Sequence, residues 1–196
     1  VKLHFTRAVL ELRERNFERC RGELDRVFSV VPRYMPAILM SGALFLATGN
    51  PEQAQSAALT FLRRYPAHVY GRKILASALL RKAQPQSAAF VLEPLLPLIK
   101  DDAQLLSLAA QAQLQMGKIE SARTLLEKAV ALAPRDPELR IGLGLNRLAA
   151  GDRDRAIAEL EFAVGLDPAD ILPEVYLVNA LIAGNEFDKA VAAVDG

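Results

Sequence analysis

A spacing of 34 residues constrains this chain more than any other feature. Counting back from Ala156 in steps of 34 meets Ala122, Ala88, Ala54 and Cys20, and one step forward meets Ala190. The same count back from Pro168 meets Pro134, Lys100, Pro66 and Pro32. Self-similarity at such a period means stacked units, each burying its apolar face only against its neighbours. The repeats run 1–34, 35–68, 69–102, 103–136 and 137–170, with a partial sixth at 171–196, and a single array over 1–196 is expected.

The unit is plainest from Pro137 to Asp170. The first helix carries Leu139, Leu143 and Leu148, with Gly144 leaving a bare spot on its face. Gly151-Asp152 then breaks the pattern, as Gly does just past a helix end. Ala156, Ile157, Leu160, Ala163 and Val164 form the stripe of a second helix, which Asp167-Pro168 closes. Turns fall likewise at Gly49-Asn50 and Gly117-Lys118, with weaker versions at Arg15-Asn16 and Ala83-Gln84. The last, Gly184-Asn185, reads one residue early.

A 34-residue helix-turn-helix with small residues at positions 8 and 20 and Pro at 32 resembles the tetratricopeptide repeat (TPR). Ala8, Gly42, Ala76, Ala110 and Gly144 fit position 8, with Val178 the exception. The resemblance implies an all-α fold, a right-handed superhelix or α-solenoid. The chain departs from the family at position 4, where a large apolar residue is usual: Ile38 and Leu106 approach it, whereas His4, Arg72, Arg140 and Glu174 do not.

Composition agrees: 52% apolar and only 6% aromatic residues suit helices packed through Ala and Leu. The 24 basic and 23 acidic residues are scattered, for a formal charge of +1, so no basic stripe for nucleic acid is visible. Charged and polar residues interrupt every apolar stretch before it reaches the length of a membrane span. Val1 and Gly196 both fall inside the repeat pattern without a polar cap. The expectation is a fragment of a longer array whose uncapped ends are able to associate.

Candidate chemistry is sparse. Cys20 sits where every other repeat has Ala, so it is expected to be a small buried thiol with no disulfide partner. His4 and His68, the two histidines, are expected at the surface and are too few for a metal cluster. No nucleophile with a base, no phosphate-binding Gly loop and no carboxylate pair in a pocket is visible, so the reading is no enzyme, no cofactor and no metal. Pro94 and Pro97 fall inside the second helix of repeat three and predict a kinked or shortened helix between Ala88 and Lys100.

The TPR resemblance implies that first helices line a concave groove through positions 2, 5, 9 and 13. In repeats three and four these are Tyr70, Lys73, Ser77 and Arg81, then Gln104, Ser107, Gln111 and Gln115, the candidate partner-binding residues. They make a polar middle between more apolar ends, among them Phe5 and Val9, Leu39 and Ala43, Ile141 and Leu145, and Val175 with Asn179. Gln side chains both donate and accept, which suits the backbone of a peptide or the hydroxyls of a glycan; an ordinary solvated helix face is the other reading. No three consecutive repeats carry the Lys, Asn and Arg set of the TPR carboxylate clamp.

The runs LIAGNEFDKAVAAV, LEPLLPLIKDDAQLLSLAAQAQLQMGK and GLGLNRLAAGDRDRAIAELE resemble bacterial TPR lipoproteins of the PEP-CTERM/exosortase system. That resemblance implies an exopolysaccharide or protein-sorting role in the periplasm or at the outer membrane, with the lipid-bearing Cys upstream of Val1; a cytoplasmic location is the alternative. Two functions stay open: a non-catalytic scaffold for a protein or peptide partner, including polysaccharide-assembly machinery, and the regulatory array of a larger enzyme such as a glycosyltransferase or peptidase.

Overall fold

The computed structural model describes residues 1–166 and 170–194. Among them lie twelve helices and no strand. They are α1 (Lys2–Arg13), α2 (Phe17–Val30), α3 (Met35–Ala47), α4 (Pro51–Leu62), α5 (Val69–Arg81), α6 (Pro85–Leu92), α7 (Ala103–Gln115), α8 (Ile119–Leu132), α9 (Pro137–Ala149), α10 (Arg153–Leu166), α11 (Ile171–Ala183) and α12 (Phe187–Val194). Each 34-residue repeat is one antiparallel pair. By packing the chain divides into two units, Val1–Leu95 and Leu96–Gly196, and within each unit consecutive helices pack on one another.

The same backbone devices recur with the period. Residues one step apart cap the first helices: His68 Nδ1 accepts from Gly71 N at 3.2 Å, Asp102 from Leu105 N at 2.9 Å, Asp136 from Leu139 N at 3.3 Å and Asp170 from Leu172 N at 3.0 Å. Each satisfies an amide that a helix start would otherwise leave unpaired. Pro51, Pro85 and Pro137 open their helices, where no amide is needed.

Position 15 takes the left-handed conformation in all six repeats: Arg15, Gly49, Ala83, Gly117, Gly151 and Asn185 have φ of 59°, 75°, 53°, 74°, 81° and 61°. The reading of a last turn one residue early is therefore corrected. Gly184 has an ordinary φ of −90°, and Asn185, which tolerates this region, turns the chain in register. The closing position Pro168 lies outside the described residues.

Small residues sit at the crossings. Ala8, Cys20, Ala54, Ala76, Ala88, Ala110, Ala122 and Ala156 are completely buried. A methyl group at Gly144 would meet Leu160 at 3.0 Å and the Ala156 carbonyl at 3.3 Å, which is why α9 and α10 require a glycine at this point. Around these crossings lie apolar cores. In the first unit Cys20, Leu24, Val27, Ala37 and Leu44 share one. In the second, Leu126 packs with Leu106, Ala129 and Leu139, and Leu160 with Ile141, Leu177 and Leu181. Truncating Leu126 or Leu160 to Ala costs about 2–5 kcal/mol by the usual transfer and cavity terms.

Repeat three has the shortened helix that Pro94 and Pro97 predict. Its second helix, α6, has 8 residues against 14 in α2, α8 and α10. Pro94 lacks the amide that would bond the Phe90 carbonyl, so α6 stops at Leu92 and residues 93–98 continue as turns. Leu95 nonetheless reaches the core, at 5% exposure.

Candidate groove residues and a cavity in the second unit

In the first unit the four candidates on α5 behave differently from one another. Tyr70 is half exposed, and the buried part of its ring pushes the phenol pKa up. Ser77 is half-buried. Arg81 is exposed, but its guanidinium donates to the Leu46 carbonyl at the end of α3, so it closes a helix terminus as well as facing solvent. Lys73, which the resemblance places in the groove lining, is only 9% exposed. Leu39 at 9% and Ile141 at 7%, in the same column, are buried as well, whereas Val175 at the same position of repeat six is 48% exposed.

In the second unit α7 presents Gln104, Gln111 and Gln115 to solvent, with Ser107 half-buried on the same stripe. These side chains follow one another at three- and four-residue intervals, the spacing of neighbours on a helix surface. The four α5 candidates and the four α7 candidates thus each lie along their own helix.

The second unit also holds a cavity of about 310 Å³ between α9, the start of α10 and α11. Leu145, Leu148 and Ala180 form apolar walls, and Tyr176, Asn179 and Arg153 bring polar groups. Arg153 also donates to the Ala183 carbonyl at 3.1 Å, which fixes it at the end of α11. Leu145 and Asn179 were groove positions by sequence. Tyr176 and Arg153, at positions 6 and 17, were not; the signal was Ala180 and Ala183, whose short side chains leave room on α11.

The other chemical candidates are structural. Cys20 is fully buried, and burial first, then nearby Glu11, pushes its thiol pKa up, away from the thiolate a nucleophile needs. His68 is exposed and caps α5. His4 is half-buried and meets Glu23 at 2.6 Å, which its lone place in the sequence did not announce. Among the described residues no group of three or more His, Cys, Asp or Glu could hold a metal, and no helix is long and apolar enough to cross a membrane.

Repeated helix pairs with small residues at the crossings define the class as an all-α helical-repeat solenoid, the architecture of protein-interaction scaffolds. The tetratricopeptide repeat profile matches residues 39–93 and 107–171, and the chain belongs to that family. No curated protein matches it by sequence. Among solved structures, a thermophilic TPR protein of Thermus thermophilus is 21% identical, with TM-score 0.80 over 92% of this chain and 98% of that one. A tetratricopeptide repeat protein from Parabacteroides merdae is 15% identical, with TM-score 0.80 over 98% and 75%. Human IFIT1, solved as a dimer with m7Gppp-AAAA, is 19% identical, with TM-score 0.80 over 91% of this chain and 44% of its own. At these identities the likeness is one of fold.

Proposed function

We propose that this chain is a non-catalytic scaffold that holds a peptide segment of a protein partner along the first helices of its second unit, α7, α9 and α11. The observation that carries the reading is the cavity beside α11. It offers apolar walls to a side chain and, at its edge, the Asn179 amide and Tyr176 hydroxyl to a peptide backbone. The Gln104, Gln111 and Gln115 stripe on α7 offers the same chemistry without fixed charge. Peptides selected by display against the full chain test this. A selected peptide should lose at least about fivefold in affinity with Asn179→Ala or Gln111→Ala, the effect of one or two lost hydrogen bonds. Unchanged affinity in both variants would contradict it.

In its finer form the reading places the full-length protein in the bacterial envelope, lipid-anchored, serving exopolysaccharide export or surface-protein sorting. The support is the resemblance of its runs to PEP-CTERM-associated TPR lipoproteins. Fractionation of the full-length protein checks it: recovery in the outer-membrane or periplasmic fraction agrees, and recovery in the cytosol does not.

A further inference from the structure

Repeat three lacks a part that repeat five carries. In both, the Arg at position 4 reaches back to the closing proline: Arg72 Nε donates to the Pro66 carbonyl at 2.8 Å, and Arg140 Nε to the Pro134 carbonyl at 3.1 Å. In repeat five, α10 then supplies two further partners one helical turn apart. The Glu159 carboxylate lies 2.7 Å from Arg140, and the Phe162 ring centroid lies 4.4 Å from the Arg140 guanidinium carbon. In repeat three the corresponding residues are Val91 and Pro94. Arg72 finds only the Val91 carbonyl, at 3.1 Å, and among the described residues it has no carboxylate partner. The early end of α6 leaves a cavity of about 410 Å³ in place of a ring.

That cavity lies wholly within the first unit and is open to solvent. Its walls are Leu62, Leu75, Val91 and Pro94, with Phe90, 76% exposed, at the mouth. Arg72 and Arg63 are the charged groups that line it, both cationic. Glu93 is exposed beside it and is not part of the lining. A space that is apolar in its walls, positive at its edge and of ligand size selects an anion with an apolar body.

We propose that the cavity between α4, α5 and α6 is a binding site for a small aromatic carboxylate, whose carboxylate pairs with Arg72 and whose ring fills the space that Phe162 fills in repeat five. The site is separate from the peptide reading above, since none of its residues lies on α7, α9 or α11.

The test is titration of the full chain with 3-phenylpropanoate, followed by calorimetry or amide chemical shifts. A ligand of this size should bind saturably, with Kd of about 1 mM or tighter. Arg72→Gln should weaken it at least about tenfold, as should replacing the probe with 3-phenylpropan-1-ol, which lacks the charge. Val91→Glu gives Arg72 the carboxylate that repeat five has in Glu159. This variant should keep the fold, checked by an unchanged helical circular dichroism spectrum, and should also weaken the probe about tenfold. Equal binding of acid and alcohol, equal binding by the wild type and Val91→Glu, or no saturable binding up to about 10 mM overturns the proposal.

Discussion

Arg140 and Glu159 stand 2.7 Å apart at positions 4 and 23 of repeat five, and His4 and Glu23 occupy the same two positions of repeat one, 2.6 Å apart. In repeat three Arg72 reaches position 23 through the Val91 carbonyl. The remaining complete repeats place apolar pairs there, Ile38 with Ala57 and Leu106 with Leu125. In repeats one, three and five the polar residue at position 4 is thus matched by a polar group on the second helix, which explains how those repeats tolerate it; repeat six places Ala193 opposite Glu174.

The repeat-five pair is largely shielded, with 19% and 11% side-chain exposure, and Arg147 adds a second contact to Glu159 at 3.1 Å. Removing one partner strands the others, so Glu159→Leu should cost about 3 kcal/mol in a denaturant melt. Arg140→Leu with Glu159→Leu copies the Leu106 and Leu125 arrangement of repeat four and should recover about 1–2 kcal/mol of that loss. Strictly additive costs would show that the pair is uncoupled.

Glu23 adds a pH dependence. The His4 hydrogen bond, ahead of the nearby Arg26 charge, holds its carboxyl pKa below the ordinary value. A carboxylate with a lowered native pKa stabilises the fold above its unfolded pKa, about 4.3, and loses that contribution as pH falls through the lowered value. Wild type should therefore melt above Glu23→Gln at pH 6–7, with the gap closing toward pH 3. A gap that persists at pH 3 would assign the effect to packing.

Ala83 takes a left-handed turn that costs an L-residue about 1–2 kcal/mol. Glycine removes that strain and gives back part of the gain to chain entropy. Ala83→Gly should raise stability by about 0.5–1 kcal/mol, read as a higher denaturation midpoint with an unchanged slope.

Ala156 is completely buried, and its carbonyl stands close to Gly144. Ala156→Phe should overpack the α9–α10 crossing and cost about 1–3 kcal/mol or more. An unmoved midpoint would show that the crossing has slack.

Much of this was legible in the sequence. The 34-residue columns placed the turns, the small crossings and the shortened α6, because backbone limits on Gly and Pro act locally. The position 4 to 23 links were visible only as paired columns, since polar residues there look like departures when position 4 is read alone. The low exposure of Lys73 did not follow from reading position 5 as groove-lining; Leu39 and Ile141 in the same column were the apolar hint. The cavity beside α11 depends on how α9, α10 and α11 meet, a three-body matter that no single helix stripe reports.

The most direct measurement of the scaffold reading is amide hydrogen exchange of the full chain with and without a display-selected peptide. Added protection in α9 and α11, around Leu145–Leu148 and Tyr176–Asn179, with α8 and α10 unchanged, is the predicted result. Protection confined to α8, α10 and α12 would place the partner on the second helices and contradict the account.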